Sequence, residues 1–284
     1  MRVISRYNSC CERIEDTCQT YIEPMIDMWL RQKRLDNMVV NDPKGELLVK
    51  KYVTATIRGM QVVQFNLINV MKTDIYNPLA LAAESAREGD FTKCAMYIEN
   101  IAEVFFPVDG ADDPVWPNAA NNAFKRAAYG LIDFYLEEEH ELRQKAEREH
   151  MNPKVLEQKI DTLWGKVTLY NCYQMFVQLS SKKLKNPIAE AQQLKKSQDE
   201  NQTMTKESLD VFCDAANRKA PFWEDEASRD MLTLYFSMTD ALPKNQMRVL
   251  VGNANNALKS MATAEKMLAS VYGIAITAMV RNVA

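Results

Sequence analysis

The chain has 284 residues, 47% of them apolar and 26% charged, and a formal charge of -3. This describes a globular chain of one or two domains with room for a sizeable core. It excludes a global electrostatic attraction for nucleic acid, so any DNA contact would have to be a local patch. Only 8 glycines argue against a full set of βα phosphate loops and for a mostly helical protein. The 16 methionines suit a helical core. Cys10, Cys11, Cys18, Cys94, Cys172 and Cys213 show no CxxC spacing and have no histidine beside them, which argues against zinc. With no visible signal peptide, a reduced cytoplasmic setting is expected. The longest uncharged apolar run, 267–280, falls short of the ~18 residues a membrane span needs and reads as a buried helix.

Residues 1–18 carry no periodicity. Met38 to Val40 is a short strand that stops at Asn41-Asp42-Pro43, where proline removes a donor and Gly45 opens an unusual backbone angle. Leu47 to Ile57 reads as a helix ended by Gly59, and Met60 to Phe65 as a second strand. That order predicts a parallel crossover, with ligands beyond the carboxyl ends of the strands, where Asp42, Lys44 and Glu46 stand. From Asn77-Pro78 onward the pattern is helical. Asp90 caps a helix with Phe91, Cys94, Ile98, Ile101, Ala102 and Phe105 on one face. Residues 107–117 hold three prolines and a glycine and read as a loop. A helix over Phe124 to Tyr135 runs into the charged stretch 137–150. Asn152-Pro153 starts the next, with Ile160, Leu163, Trp164, Val167 and Tyr170 on one face. Residues 180–207 are polar and read as an exposed connection or a helix with a wet face. Pro221-Phe222-Trp223 begins another helical region, Pro243 interrupts it, and Asn245 restarts it.

Several segments resemble one family. The run from Gln19 through DPKGEL at 42–47, VVQFNL at 62–67 and DIYNPLAL at 74–81 is similar to the type IV secretion coupling proteins of conjugation systems, the TraG class. The likeness continues through GDFTKCAMYIENIAEVFFP, ADDPVWPNAANNAFKRAAYGLIDFYLEEE, FWEDEASRDMLTLYFSMTDALPKNQMRVLV and NNALKSMATAEKMLASVYGIAITAM, covering about residues 19–280. The family is one of membrane-anchored, hexameric, RecA-like (P-loop NTPase) ATPases that pass DNA and relaxase to a secretion channel. The resemblance therefore implies an unassigned segment 1–18, a partial RecA-like domain over 19–78, and an all-α domain over 79–284. It implies that Thr20, Asp42, Lys44 and Glu46 border a nucleotide pocket; on the residues alone, 42–46 also reads as a strand-to-helix turn whose Asp or Glu favours the helix amino end. It also implies relaxase, single-stranded DNA and channel components as partners, and the inner face of the plasma membrane as the full-length family's location.

The departures matter as much. In the family, Gly-x-Gly-Lys-Thr immediately precedes the Q-T-Y-I-E-P segment; here that place holds Glu15-Asp16-Thr17-Cys18. The lysine that reaches the β- and γ-phosphates and the glycines that admit them are missing. No G-x-x-x-x-G-K-[ST] occurs, the family's Walker B strand would follow the helical insert, and no upstream membrane segment is seen. The chain is expected to be a fragment with no catalytic residue, no metal and no cofactor of its own. ATP and Mg belong to the full-length family.

Other patterns read more plainly. Leu131-Ile132-Asp133 mimics the end of a Walker B strand but has helical spacing, and reads as core helix. Asp109, Asp112 and Asp113 read as turn and capping residues. His140 and His150 are not at ligand spacing and read as solvated surface. Trp116 and Trp223 read as core anchors at helix entrances. Lys182, Lys183, Lys185, Lys195 and Lys196 form the one basic concentration. They are either a DNA or partner contact or a solvated face diluted by Glu190, Asp199 and Glu200. Two functions stay open: a component that recruits relaxase-bound single-stranded DNA to the channel, or a non-catalytic helical binding module for relaxase or an accessory protein. An unrelated helical scaffold stands third, and the absence of a parallel strand pair at 38–40 and 61–65 would favour it.

Overall fold

The computed structural model describes residues 2–4, 18–66, 69–74, 76–107, 113–181, 183–197, 204–219, 229–238, 246–262 and 265–283. The chain forms two compact units, residues 1–76 and 77–284. It is mostly helical, as its few glycines and 3-4 spacings lead one to expect.

In the first unit β1 (Arg2–Ile4) pairs parallel to β2 (Met38–Val40), with Arg2 opposite Met38 and Ile4 opposite Val40. Parallel strands need a long crossover, and α1 (Glu23–Leu30) lies within it, entered through one π-helical turn over Cys18–Ile22. Then α2 (Glu46–Ile57) starts behind Gly45, whose φ of 73° is the left-handed conformation that glycine adopts without strain. It ends in a Schellman turn: Gly59 takes φ 81° and the Met60 N–H donates to the Ala55 carbonyl at 3.1 Å. The core here is small. Ile26, Leu30 and Leu47 are buried, with Ile22, Trp29, Met38, Ala55 and Met60 packed around them.

Two expectations are corrected here. Residues 60–65 are not a strand, and β2 takes its partner from the segment that showed no pattern, so the expected parallel pair of 38–40 with 61–65 is absent, the outcome that favours an unrelated helical scaffold. The reason lies in the hydrogen bonds of 64–74. The Gln64 N–H donates to Asp74 Oδ2 at 2.6 Å, and the Asp74 N–H returns to the Gln64 carbonyl at 2.8 Å. The Asn66 N–H donates to Thr73 Oγ1 at 2.8 Å. Backbone groups that a ladder would use are bound locally instead, and Val63 and Phe65 stay exposed.

The second unit is built from α3 (Ala80–Arg87), α4 (Phe91–Phe105), α5 (Val115–Arg148), α6 (Pro153–Trp164), α7 (Leu169–Leu179), α8 (Pro187–Lys196), α9 (Lys206–Arg218), α10 (Met231–Ser237), α11 (Gln246–Ala262) and α12 (Glu265–Val283). The 34-residue α5 is the axis, with α3, α4, α6, α7, α9, α11 and α12 all against it. Its first third reads Ala-Ala-x-x-Ala-Phe, and small residues let neighbours come close: Ala120, Ala123, Phe124, Ala127 and Ala128 are fully buried.

Side-chain caps set many helix starts. Asp90, Asn152, Thr168, Asn186, Thr205 and Asp230 each accept an N–H from the first turn that follows. The expected loop over 107–117 is shorter, because α5 begins at Val115 and takes Pro117 into its first turn. Trp116 packs on the core as expected. The polar stretch 180–207 contains α8, whose Ala191 is fully buried. The run 267–280 is a half-buried face of α12: Val271, Tyr272, Ala275 and Met279 point inward while Met267, Ile274 and Val280 are exposed. The expectations at Trp223 and Pro243 lie outside the described residues.

Candidate functional site

The strand-end turn holds three of the four positions expected to border a nucleotide pocket. Asp42 Oδ2 accepts the Leu48 N–H at 2.9 Å, and the Gly45 N–H donates to the Asp42 carbonyl at 3.2 Å. Leu48 is the third residue of α2, so Asp42 supplies the cap that Gly45 cannot. Glu46 stands in the first turn, where a carboxylate favours the positive end of the helix. Lys44 and Glu46 are exposed beside it. Thr20 is exposed on the π-helical turn before α1.

Among the described residues this unit has an open groove of about 570 Å³ lined by Glu23, Pro24, Asp27, Met28, Arg31 and Lys50. Its Glu23, Asp27 and Lys50 are paired. Lys50 Nζ lies 3.0 Å from Glu23, and Lys51 Nζ lies 3.2 Å from Glu23 and 2.9 Å from Asp27. The two lysines hold the Glu23 carboxyl below its usual range. Burial works against the Lys51 charge, but its bonds to Asp27 and Glu23 win and raise its pKa. A carboxylate held ionised as Glu23 is makes a poor proton acceptor near neutral pH, so the groove is suited to polar recognition rather than acid–base chemistry. Asp42 and Glu46 are not among its lining residues.

The basic concentration is partly neutralised. Lys195 Nζ pairs with Asp210 at 2.8 Å, an i-independent contact that ties α8 to α9. Lys183, Lys185 and Lys196 are exposed, and Lys182 lies outside the described residues. Asp113 Oδ1 accepts the Val115 N–H at 3.0 Å, the capping role expected of it, while Asp109 and Asp112 lie outside the described residues. His140 is exposed and bonds Gln144 at 2.8 Å. His150 ends α5 with φ 51°. Among the described residues no group of His, Cys, Asp and Glu has the arrangement of a metal site.

What sequence reasoning missed is a buried ionic cluster in the second unit. Asp133 on α5 is 1% exposed. Its Oδ2 lies 2.8 Å from Arg218 on α9 and 3.5 Å from Arg248 on α11. Arg218 also meets Asp214 at 2.6 Å, and Arg248 meets Glu137 at 2.9 Å. Three helices are thus joined by one carboxylate. Two turns earlier on α5, buried Arg126 donates to the Tyr235 hydroxyl at 2.8 Å and stacks over a ring 4.1 Å away. A second node gathers on Glu139, which meets Arg87, Arg143 and the Trp164 Nε1–H. Burial pushes the Glu139 carboxyl up, but the Trp164 and Arg143 hydrogen bonds and the arginine charges prevail and hold it below its usual range. The signal available in sequence was the i,i+4 spacing of Asp133 with Glu137 and of Asp214 with Arg218. That spacing is equally common on solvated faces.

No protein family, curated protein or solved structure matches the chain.

Proposed function

We propose that the chain is a component of a type IV secretion coupling apparatus that recruits relaxase-bound single-stranded DNA to the secretion channel. The observation that carries the reading is the order of its motifs: DPKGEL at 42–47, VVQFNL and DIYNPLAL after it, then the helical segments from Gly89 onward. Two features of the structure support it. A parallel strand pair joined through a helix is the local plan of P-loop sheets. The remainder, among the described residues, is helical apart from one isolated bridge between Leu184 and Arg229, and is the part that receives cargo in this reading. The first unit is then a part of a RecA-like domain, and relaxase, DNA and channel proteins are the partners.

A second reading, a non-catalytic helical receptor for relaxase or an accessory protein, is favoured by the state of the carboxylates. Asp42 caps α2, and Glu23 and Asp27 are paired with lysines, so none is placed to activate water. The two readings agree that this chain turns over no ATP alone. Steady-state phosphate release with single-stranded DNA present is expected at the buffer blank. DNA-stimulated release that disappears in Asp42→Ala would overturn that expectation. Recruitment itself is tested by saturable binding of a relaxase–oligonucleotide complex to the full chain.

A further inference from the structure

The ends of α1 and α2 bring together positive charges that lie apart in the sequence. Just past Leu30, the turn at 31–34 reads Arg-Gln-Lys-Arg, and all four residues are exposed. Three contacts run along the two helices. Lys50 meets Glu23, Lys51 meets Asp27, and Arg58 Nη2 donates to the Gln32 carbonyl at 2.6 Å. They hold the helices side by side in the same direction, so Arg58, the exposed residue that ends α2, lies at the turn that ends α1. Arg31, Lys33, Arg34 and Arg58 thus form one patch, and none of them has an ion pair among the described residues.

The acids of these elements do not neutralise the patch. Glu23 is held by Lys50 and Lys51, and Asp27 by Lys51. The exposed Asp36, two positions beyond Arg34, offsets one charge. Glu46 stands at the opposite end of α2, a 12-residue helix about 18 Å long. A helix C-terminus attracts a cation, which accounts for Arg31 and Arg58 one by one. It does not account for Lys33 and Arg34, which lie beyond the last turn of α1, in a chain whose formal charge is -3. Three of the four cations are arginines, whose planar fork binds phosphate oxygens in pairs. They lie on an exposed turn and a helix end rather than in an enclosed cavity. That placement suits the successive phosphates of a polymer more than a single small anion.

We propose that Arg31, Lys33, Arg34 and Arg58 form a contact for the phosphate backbone of single-stranded nucleic acid. The choice of strand rests on the reading of the chain as a recruiter of relaxase-bound DNA. With four phosphate contacts, the logarithm of the affinity falls against the logarithm of salt with a slope of about -3. A contact of this size guides a strand that relaxase delivers. At the salt of a recruitment assay, about 150 mM, it does not hold a bare one.

Fluorescence anisotropy of a labelled, bare oligo-dT titrated with the full chain, from about 20 to about 150 mM salt, tests this. The expected result is saturable binding at the lowest salt, with a Kd on the order of 10 μM, and a loss of at least about a hundredfold by the highest. The triple variant Arg31→Gln, Lys33→Gln, Arg34→Gln is expected to bind at least about tenfold more weakly at the lowest salt and to reduce the slope to about -1, with an unchanged helical circular dichroism signal. Lys185→Gln with Lys196→Gln is expected to change neither. Should the triple variant lower the helical signal, Lys33→Gln alone, in the exposed turn, is expected to reduce the slope by about 1. A wild-type chain that leaves the oligonucleotide unbound at the lowest salt overturns the proposal, and so do well-folded variants that bind like the wild type. Tighter binding to vesicles of equimolar phosphatidylserine and phosphatidylcholine, lost in the same variants, also overturns it, because the patch would then be a membrane contact. If the bare strand binds through the patch but the loaded relaxase is not recruited, the patch stands and the recruitment reading falls.

Discussion

Asp133 is a buried charge that joins three helices of the helical unit. Its carboxylate is nearly sealed from water and faces Arg218 and Arg248, themselves largely buried. Removing Asp133 takes from two buried guanidinium groups the carboxylate they share and leaves Asp214 and Glu137 to balance them, which costs more than the intact pair contributes. Asp133→Ala is therefore expected to cost about 3 kcal/mol or more in urea unfolding, whereas an exposed aspartate such as Asp161 would cost well under 1. Gly130 is constrained from another side. A Cβ there would overlap the Tyr235 hydroxyl and come within 2.7 Å of Arg126 Nη1, so Gly130→Ala is expected to lose about 1–3 kcal/mol despite alanine's better helix propensity. Neither site was legible as such. Asp133 reads as a core-helix position, correctly, but its partners lie 85 and 115 positions downstream on helices whose faces the sequence does not index. Asp42 shows the opposite case. Its place before a helix was plain from Asp-Pro-Lys-Gly-Glu, and both a pocket carboxylate and a turn residue could be argued for it. Its carboxylate is now seen bound to the α2 amide.

At the scale of elements, the ends of helices are the most readable feature of this chain. Asp90 and Asn152 were recognisable as caps because a short polar acceptor precedes an apolar 3-4 pattern, and both do accept first-turn amides. The C-terminus of α5 is a case the pattern hides. The Met151 N–H donates to the Ala146 carbonyl at 3.0 Å, which forces His150 into the left-handed region that glycine prefers. His150→Gly is expected to raise stability by up to about 1 kcal/mol, measured as a shift in the urea midpoint without a change in slope. The link between α3, α5 and α6 through Glu139 predicts a pH effect. Its carboxyl is held below its ordinary value of 4.5, so the folded chain binds fewer protons there than the unfolded chain does. The resulting stability is present above about pH 4.5 and is lost as pH falls through the lowered value. Glu139→Gln is expected to flatten that part of the acid limb in a stability–pH series; an unchanged limb would contradict it. Strands were the least readable elements. β1 has three residues, too few to show alternation, and the more convincing apolar run at 60–65 is diverted by Asp74 and Thr73.

For the whole molecule, the two units differ sharply in what holds them together. The first has three buried apolar side chains at its centre, and the second has a continuous core around α5. A small core leaves little surplus over chain entropy, so residues 18–66 are expected to exchange their amides well before α5 does in native-state hydrogen exchange. Equal protection in both would contradict this. Mostly helical character was legible from the scarcity of glycine and the long 3-4 patterns, since both follow from local backbone preference. The pairing of strands and the buried charges were not, because both depend on which distant segments meet. The functional reading rests on motif order, and the most direct measurement is recruitment. Fluorescence anisotropy of a labelled single-stranded oligonucleotide carrying the relaxase of the same genetic element, titrated with the full chain, should show saturable binding that the bare oligonucleotide lacks. No binding of the loaded relaxase, or equal binding of bare DNA, would contradict the account.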